Sequence, residues 1–234
     1  MKNLKKIFGL LAVLAISVFA TSIFTSCSSD DDNSNKVKVD FELRLANASF
    51  TQTESNSVFN QFSKRNIRES WSETINREDL PNRLKYWRLT ADVANAEAQQ
   101  LTWTGTGTAI LNATYDGKTY PIGTYNFTPS GEDSAEKETI KYIFTGGSST
   151  GTQDETNAIY DAFSKEKIPT SNETYPKNRV FSRIEFWKAK AALIDYNLQQ
   201  KTWKTNYTFS FRYTLQSEDF KTEHIIGTYN YIAK

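Results

Sequence analysis

The 234-residue chain has one cysteine, one histidine and one methionine. A lone cysteine cannot complete a cysteine metal set. A lone histidine, His224, supplies neither a His-based metal site nor a choice of base for a Ser-His triad. Charge of one sign is missing too: 28 Lys and Arg stand against 27 Asp and Glu, a net charge of +1. Nucleic-acid binders show a basic patch or a basic excess, so no nucleic-acid partner is expected. Gly105-x-Gly107, within the stretch Leu101 to Tyr115, lacks the third glycine and the following helix of a dinucleotide site. No catalytic residue, metal ligand or cofactor is assigned. What is abundant is aromatic: 14% of the chain, with 12 Tyr and 15 Phe, which favours half-buried pleated strands.

The N-terminus reads as a targeting segment. Lys2, Lys5 and Lys6 precede a largely apolar run, Ile7 to Phe24, which ends in Phe24-Thr25-Ser26-Cys27. These four residues resemble a lipobox, with Phe24 in place of the commoner Leu. The resemblance implies a signal peptide over 1–26, cleavage before Cys27, and lipidation of Cys27 by the lipoprotein-processing machinery. An uncleaved anchor is the alternative, because the apolar run is near the length of a membrane span. Residues 27–35 form a solvated, self-repelling tether. Ser28-Ser29-Asp30-Asp31-Asp32 is similar to the acidic export tag of surface-exposed lipoproteins in Bacteroidota. That implies surface-export machinery as a partner and the outer face of the outer membrane as the address, with the periplasmic face as the alternative.

The folded region is written twice. Val58–Lys64 matches Ile159–Lys165, Arg83–Arg88 matches Arg183–Lys188, Gln99–Trp103 matches Gln199–Trp203, and Ile122–Phe127 matches Ile226–Tyr231, at offsets of 101, 100, 100 and 104. The repeats span 36–128 and 137–234, joined by a polar linker, 129–136. Asp133-Ser134-Ala135 in the linker resembles an O-glycan acceptor of exported Bacteroidota proteins. Each repeat is expected to run strand, helix, long loop, three strands: an α+β fold with a mostly antiparallel sheet and one short helix per repeat. Val37, Val39, Phe41, Leu43 and Leu45 alternate with polar residues, as a strand with one buried face does. Thr152-x-x-Glu155 is a capping box, and Glu54 is the counterpart of Glu155. Arg83 to Asn95 and Arg183 to Tyr196 are expected as long strands, with the Gln-Gln segment turning into a third strand. Gly123 and Gly227 predict a bulge or a close approach. The order strand-helix-strands is similar to cystatin-like units, which by analogy implies a peptidase inhibitor.

Function is less legible. Ser63-Lys64 and Ser164-Lys165 are neighbours on a helix and point apart, so a nucleophilic dyad is not expected. Trp71, in polar Arg68–Glu73, and Tyr175, before Pro176, are candidate ligand-binding aromatics for a sugar face or a protein partner. The third strand carries Gly105, Gly107, Ala109 and Ala113, and the last three stand where the second repeat carries Tyr207, Phe209 and Tyr213. Either rings of the second repeat fill that space or the small residues floor a pocket. Carboxylates found in one repeat only (Asp92 against Ala192, Glu185 against Lys85, Asp195 against Asn95) leave room for a hydrolase, which needs two of them in one cleft. The expected function is a lipid-anchored surface binding or structural module for a glycan or an envelope protein. A small apolar-ligand carrier, a hydrolase and a peptidase inhibitor are the alternatives.

Overall fold

The computed structural model describes residues 35–147, 151–169 and 171–234. The expected signal segment, Cys27 and nearly all of the tether lie outside them. The first repeat runs β1 (Lys36–Ala46), α1 (Gln52–Ser63), β2 (Ser70–Asn76), α2 (Leu80–Ala98), β3 (Gly107–Tyr115) and β4 (Lys118–Phe127). The second runs β5 (Lys137–Gly147), α3 (Gln153–Lys165), β6 (Glu173–Pro176), α4 (Val180–Gln199), β7 (Tyr207–Leu215) and β8 (His224–Tyr231). Each repeat folds into one four-stranded sheet, ordered β2-β1-β3-β4 and β6-β5-β7-β8, with every pairing antiparallel. The architecture is α+β, a tandem repeat of sheet and helices.

Local chemistry explains most of the elements. On β1, Val37, Val39, Phe41 and Leu43 are buried and the residues between them are exposed, the period of two that a half-buried strand imposes. Thr51 and Thr152 cap α1 and α3 and receive the backbone N–H of Glu54 and Glu155. Asp116 and Gly117, both at positive φ, close the β3–β4 hairpin as a two-residue turn. Gly123 and Gly227 each lie next to a register shift, and a Cβ on either would stand 2.3 or 2.1 Å from the hydroxyl of Tyr125 or Tyr229.

One element class differs from expectation. Arg83–Asn95 and Arg183–Tyr196 are helical, so each repeat has two helices, and the Gln-Gln segments end helices rather than turn hairpins. The helical stripe is present: Trp87, Ala91, Ala94 and Ala98 face the first sheet, and Val180, Ile184, Trp187, Ala191, Ile194 and Leu198 face the second. A second apolar stripe conceals it. Val93 and Ala96 of α2 are buried on another face, and Ala96 belongs to the second repeat's core. Superposed, the two stripes imitate the alternation Trp87, Leu89, Ala91, Val93. The extra helix also removes the basis of the cystatin-like comparison, which rested on one helix per repeat.

Two aromatic cores result, one per repeat, within a single compact unit, Asn35–Lys234. Helices α2 and α4 join them in antiparallel fashion. The Tyr196 hydroxyl donates to the Asn82 carbonyl at 2.7 Å at one end, and Gln100 Nε2 donates to the Ser182 carbonyl at 3.1 Å at the other. Beside this seam Arg65 pairs with Glu97 and reaches Glu166 at 3.6 Å, and Glu166 pairs with Lys190. The linker is tied down as well, by an Asp133–Arg179 ion pair at 2.7 Å and by Asn178 accepting from the Ser134 N–H.

Candidate functional site

Most side chains that recur between the repeats hold the scaffold. Glu54 caps α1 and also accepts from the N–H groups of Thr104 at 2.5 Å and Gly105 at 3.1 Å, clipping the helix to the chain that enters β3. Those backbone donors, Thr104 first, hold its carboxyl at about 2, well below the ordinary range. Glu155 makes the equivalent bond to the Lys204 N–H. Glu73 takes a bidentate pair from Arg83 at 2.6 and 2.7 Å and a bond from Trp87 Nε1 at 3.2 Å. Glu173, Arg183 and Trp187 repeat this at 3.1, 2.6 and 3.0 Å. Burial works to raise both carboxyls, but the arginine and indole donors outweigh it and both lie low. The indoles of Trp103 and Trp203 donate to the carbonyls of Ala98 and Leu198, and Gln99 and Gln199 donate to those of Asn126 and Asn230. The Glu73/Glu173 pair was missed in the sequence, although its spacing to Arg and Trp is the same in both repeats.

The candidate residues fall mostly inside this scaffold. Trp71 is not on a loop: it sits in β2, half-buried, stacked on Phe41 at 4.8 Å and edge-on to Trp87 at 4.9 Å. Tyr175 is half-buried in β6 with the Arg183 guanidinium 5.0 Å above its ring. Each ring thus packs within its own repeat. Gly105, Gly107, Ala109 and Ala113 are buried, and the space beside the two glycines is filled. A Cβ on Gly105 would meet the Ser49 carbonyl at 2.7 Å, and one on Gly107 would meet the Phe50 ring at 2.4 Å. The filler is therefore Phe50 of the same repeat, not a ring from the second. The second repeat reverses the arrangement: Tyr207 stands opposite Gly151, whose Cβ would lie 2.0 Å from the Tyr207 hydroxyl. Leu45 pairs with Ala109 on one sheet and Gly146 with Phe209 on the other, a second reciprocal exchange. These exchanges remove the pocket expected at Gly105, Gly107 and Ala109. Ser63 Oγ donates back to the Asn60 carbonyl, and Lys64 to Gln61, so they form no dyad. His224 stacks on Tyr213 at 4.8 Å with Nε2 2.6 Å from Glu218.

A cleft opens instead where the repeats differ along the α2–α4 seam. Tyr196 packs into one side of the seam, and the aligned residue on the other side is Ala96. A half-open space of about 620 Å³ lies there, floored by Ala96, Ala189 and Ala192 and walled by Asp92, Asn95, Gln99, Tyr125 and Asn126 from one repeat and Phe181, Glu185 and Lys188 from the other. Phe181 is 74% exposed on the rim, aligned with Pro81 of the first repeat. Gly123 leaves room for Tyr125 to reach under β4, and its hydroxyl donates to Asp92 Oδ1 at 2.9 Å. Burial pushes the Asp92 carboxyl above its ordinary value, against the lowering influence of Tyr125 and Arg88. Lys188 is paired with Glu185 at 3.3 Å. Asp92 and Glu185 thus share one cleft, while Asp195 lines none of it. A broader groove of about 920 Å³ runs past Glu73, Arg83, Tyr86 and Tyr196, but its central charges already neutralise each other.

Among the described residues no group of three or more His, Cys, Asp or Glu side chains is placed to hold a metal ion, and no helix is long and apolar enough to cross a membrane. The chain matches no family model, no curated protein and no solved structure.

Proposed function

We propose that this chain is a binding module, held at the cell envelope through Cys27, whose ligand occupies the seam cleft and is a glycan. The observation that carries the reading is that Asp92, Asn95, Ala96, Phe181, Glu185 and Ala192, all different in the other repeat, line one cleft together with the recurring Gln99, Tyr125 and Asn126. A ligand site needs concave apolar surface with a few convergent polar groups, and the alanine floor, the Asn95 carboxamide, Asp92 and the Phe181 ring supply them. An exposed ring is a stacking surface for a sugar face, and carboxamides match hydroxyls as donor and acceptor. The membrane address rests on Phe24–Cys27 and Ser28–Asp32; Cys27→Ala is expected to release the protein from the membrane fraction. For the cleft, Phe181→Ala is expected to abolish glycan-array signals while leaving the melting temperature unchanged, because the ring is 74% exposed. Array signals equal to wild type would remove the cleft from the account.

A hydrolase is the second reading, favoured by one observation: Asp92 and Glu185 line the same cleft. Burial-raised Asp92 is the natural general acid of such a pair. Release of a chromogenic aglycone from aryl glycosides, lost in both Asp92→Asn and Glu185→Gln, would support it. No turnover in wild type would leave binding alone.

A further inference from the structure

The cleft holds a carboxylate without a partner cation. Tyr125 gives Asp92 one hydrogen bond, and no lysine or arginine among the described residues forms an ion pair with it. Arg88, one helical turn back on α2, acts on it only at longer range. On the facing helix, Lys188 is already engaged by Glu185. The charged groups lining the cleft are therefore Asp92, Glu185 and Lys188, one negative charge in excess. A partly desolvated carboxylate in this position is costly unless something neutralises it. The first repeat retains it where the second has Ala192. On the rim, Phe181 presents an aromatic face, a surface that attracts cations as well as sugar rings.

We infer that the cleft is built for a protonated amine, and that its glycan carries a free amino sugar, whose ammonium donates to Asp92 while the ring lies against Phe181. This rests on the binding-module reading above and deepens it. The ammonium supplies the charge that Asp92 lacks. The ring hydroxyls meet the Asn95 carboxamide, and Tyr125 holds the carboxylate through its hydroxyl. An N-acetylated sugar of the same shape replaces the ammonium by a bulkier neutral amide and forfeits the charged bond.

The test uses a glucosamine oligosaccharide and its fully N-acetylated counterpart, each titrated calorimetrically into the wild-type protein, Asp92→Asn and Phe181→Ala at neutral pH. Wild type is expected to bind the free-amine oligosaccharide about ten-fold more tightly than the acetylated one, the scale of one charge-assisted hydrogen bond. Asp92→Asn, nearly isosteric and still able to accept from Tyr125, is expected to erase that preference, and Phe181→Ala to weaken both ligands. Equal or tighter binding of the acetylated form, still dependent on Phe181, overturns the amine inference and leaves the cleft reading intact. Binding that is indifferent to Phe181 overturns both. Failure of wild type to bind either oligosaccharide overturns the amine inference, and the glycan array then judges the cleft on its own.

Discussion

At the scale of single residues, one carboxylate in each repeat ties two backbone segments together. Glu54 joins the cap of α1 to the chain entering β3, and Glu155 does the same in the second repeat. The folded-state value of Glu54, about 2, lies below its ordinary 4.5. A depressed carboxyl contributes stability that is fully present above the ordinary value and is lost as pH falls through the folded one. Stability followed by circular dichroism is therefore expected to fall between about pH 4.5 and pH 2. Glu54→Gln should be less stable than wild type at neutral pH and should show a shallower decline on acidification. A decline as steep as that of wild type would deny Glu54 this role. The capping box was legible in the sequence because its signal is local. The clip to Thr104 was not, because it joins residues 50 positions apart.

At the scale of elements, legibility followed the number of buried faces. β1 and β7 bury one face and their period of two is plain. Helices α2 and α4 bury two, one on their own sheet and one on each other, and the summed pattern mimicked a strand. The four-three spacing of Trp87, Ala91, Ala94 and Ala98 was the overlooked signal. The Glu-Arg-Trp pins brace these helices against the edge strands, and burial grades them. The Arg183 side chain is 15% exposed and that of Arg83 39%. Removing one partner leaves a half-buried carboxylate behind, so Arg183→Met is expected to destabilise by roughly 2–3 kcal/mol and Arg83→Met by about half of that. Denaturant melts giving the opposite order would contradict the grading. The exchanges of large and small residues are testable in the same way. Gly107→Tyr alone should destabilise by overpacking against Phe50. Adding Phe50→Gly, the pattern of Tyr207 and Gly151, should recover more than additivity allows, with a coupling of about 1 kcal/mol or more. Additive effects would mean that the two positions do not share one space.

At the scale of the whole molecule, duplication separates scaffold from site. Residues that recur make the same bonds twice: Glu73 and Glu173, Trp103 and Trp203, Gln99 and Gln199. Two differences in the sheets cancel in pairs, Phe50 with Gly107 against Gly151 with Tyr207 and Leu45 with Ala109 against Gly146 with Phe209. Along the α2–α4 seam they do not cancel. Ala96 stands where the other half has Tyr196, and the cleft beside it is walled by Phe181, where the other half has Pro81. The sequence already showed Asp92 facing Ala192 and Glu185 facing Lys85. A strand pattern for these two segments places the carboxylates in no common groove; only their helical pairing does, and at β3 the volume missing beside Gly107 is supplied by Phe50.

The central claim is that the Ala96 side of this seam is where a ligand binds. Its most direct test is a glycan-array measurement on wild type and Ala96→Tyr side by side, with melting temperatures for both. Tyr196 shows that this seam accommodates such a ring, with its hydroxyl on a backbone carbonyl of the facing helix, and Ser182 offers the equivalent acceptor to a tyrosine at 96. The account predicts that Ala96→Tyr melts within a few degrees of wild type and loses every array signal. A folded Ala96→Tyr variant that keeps the wild-type signals would contradict it.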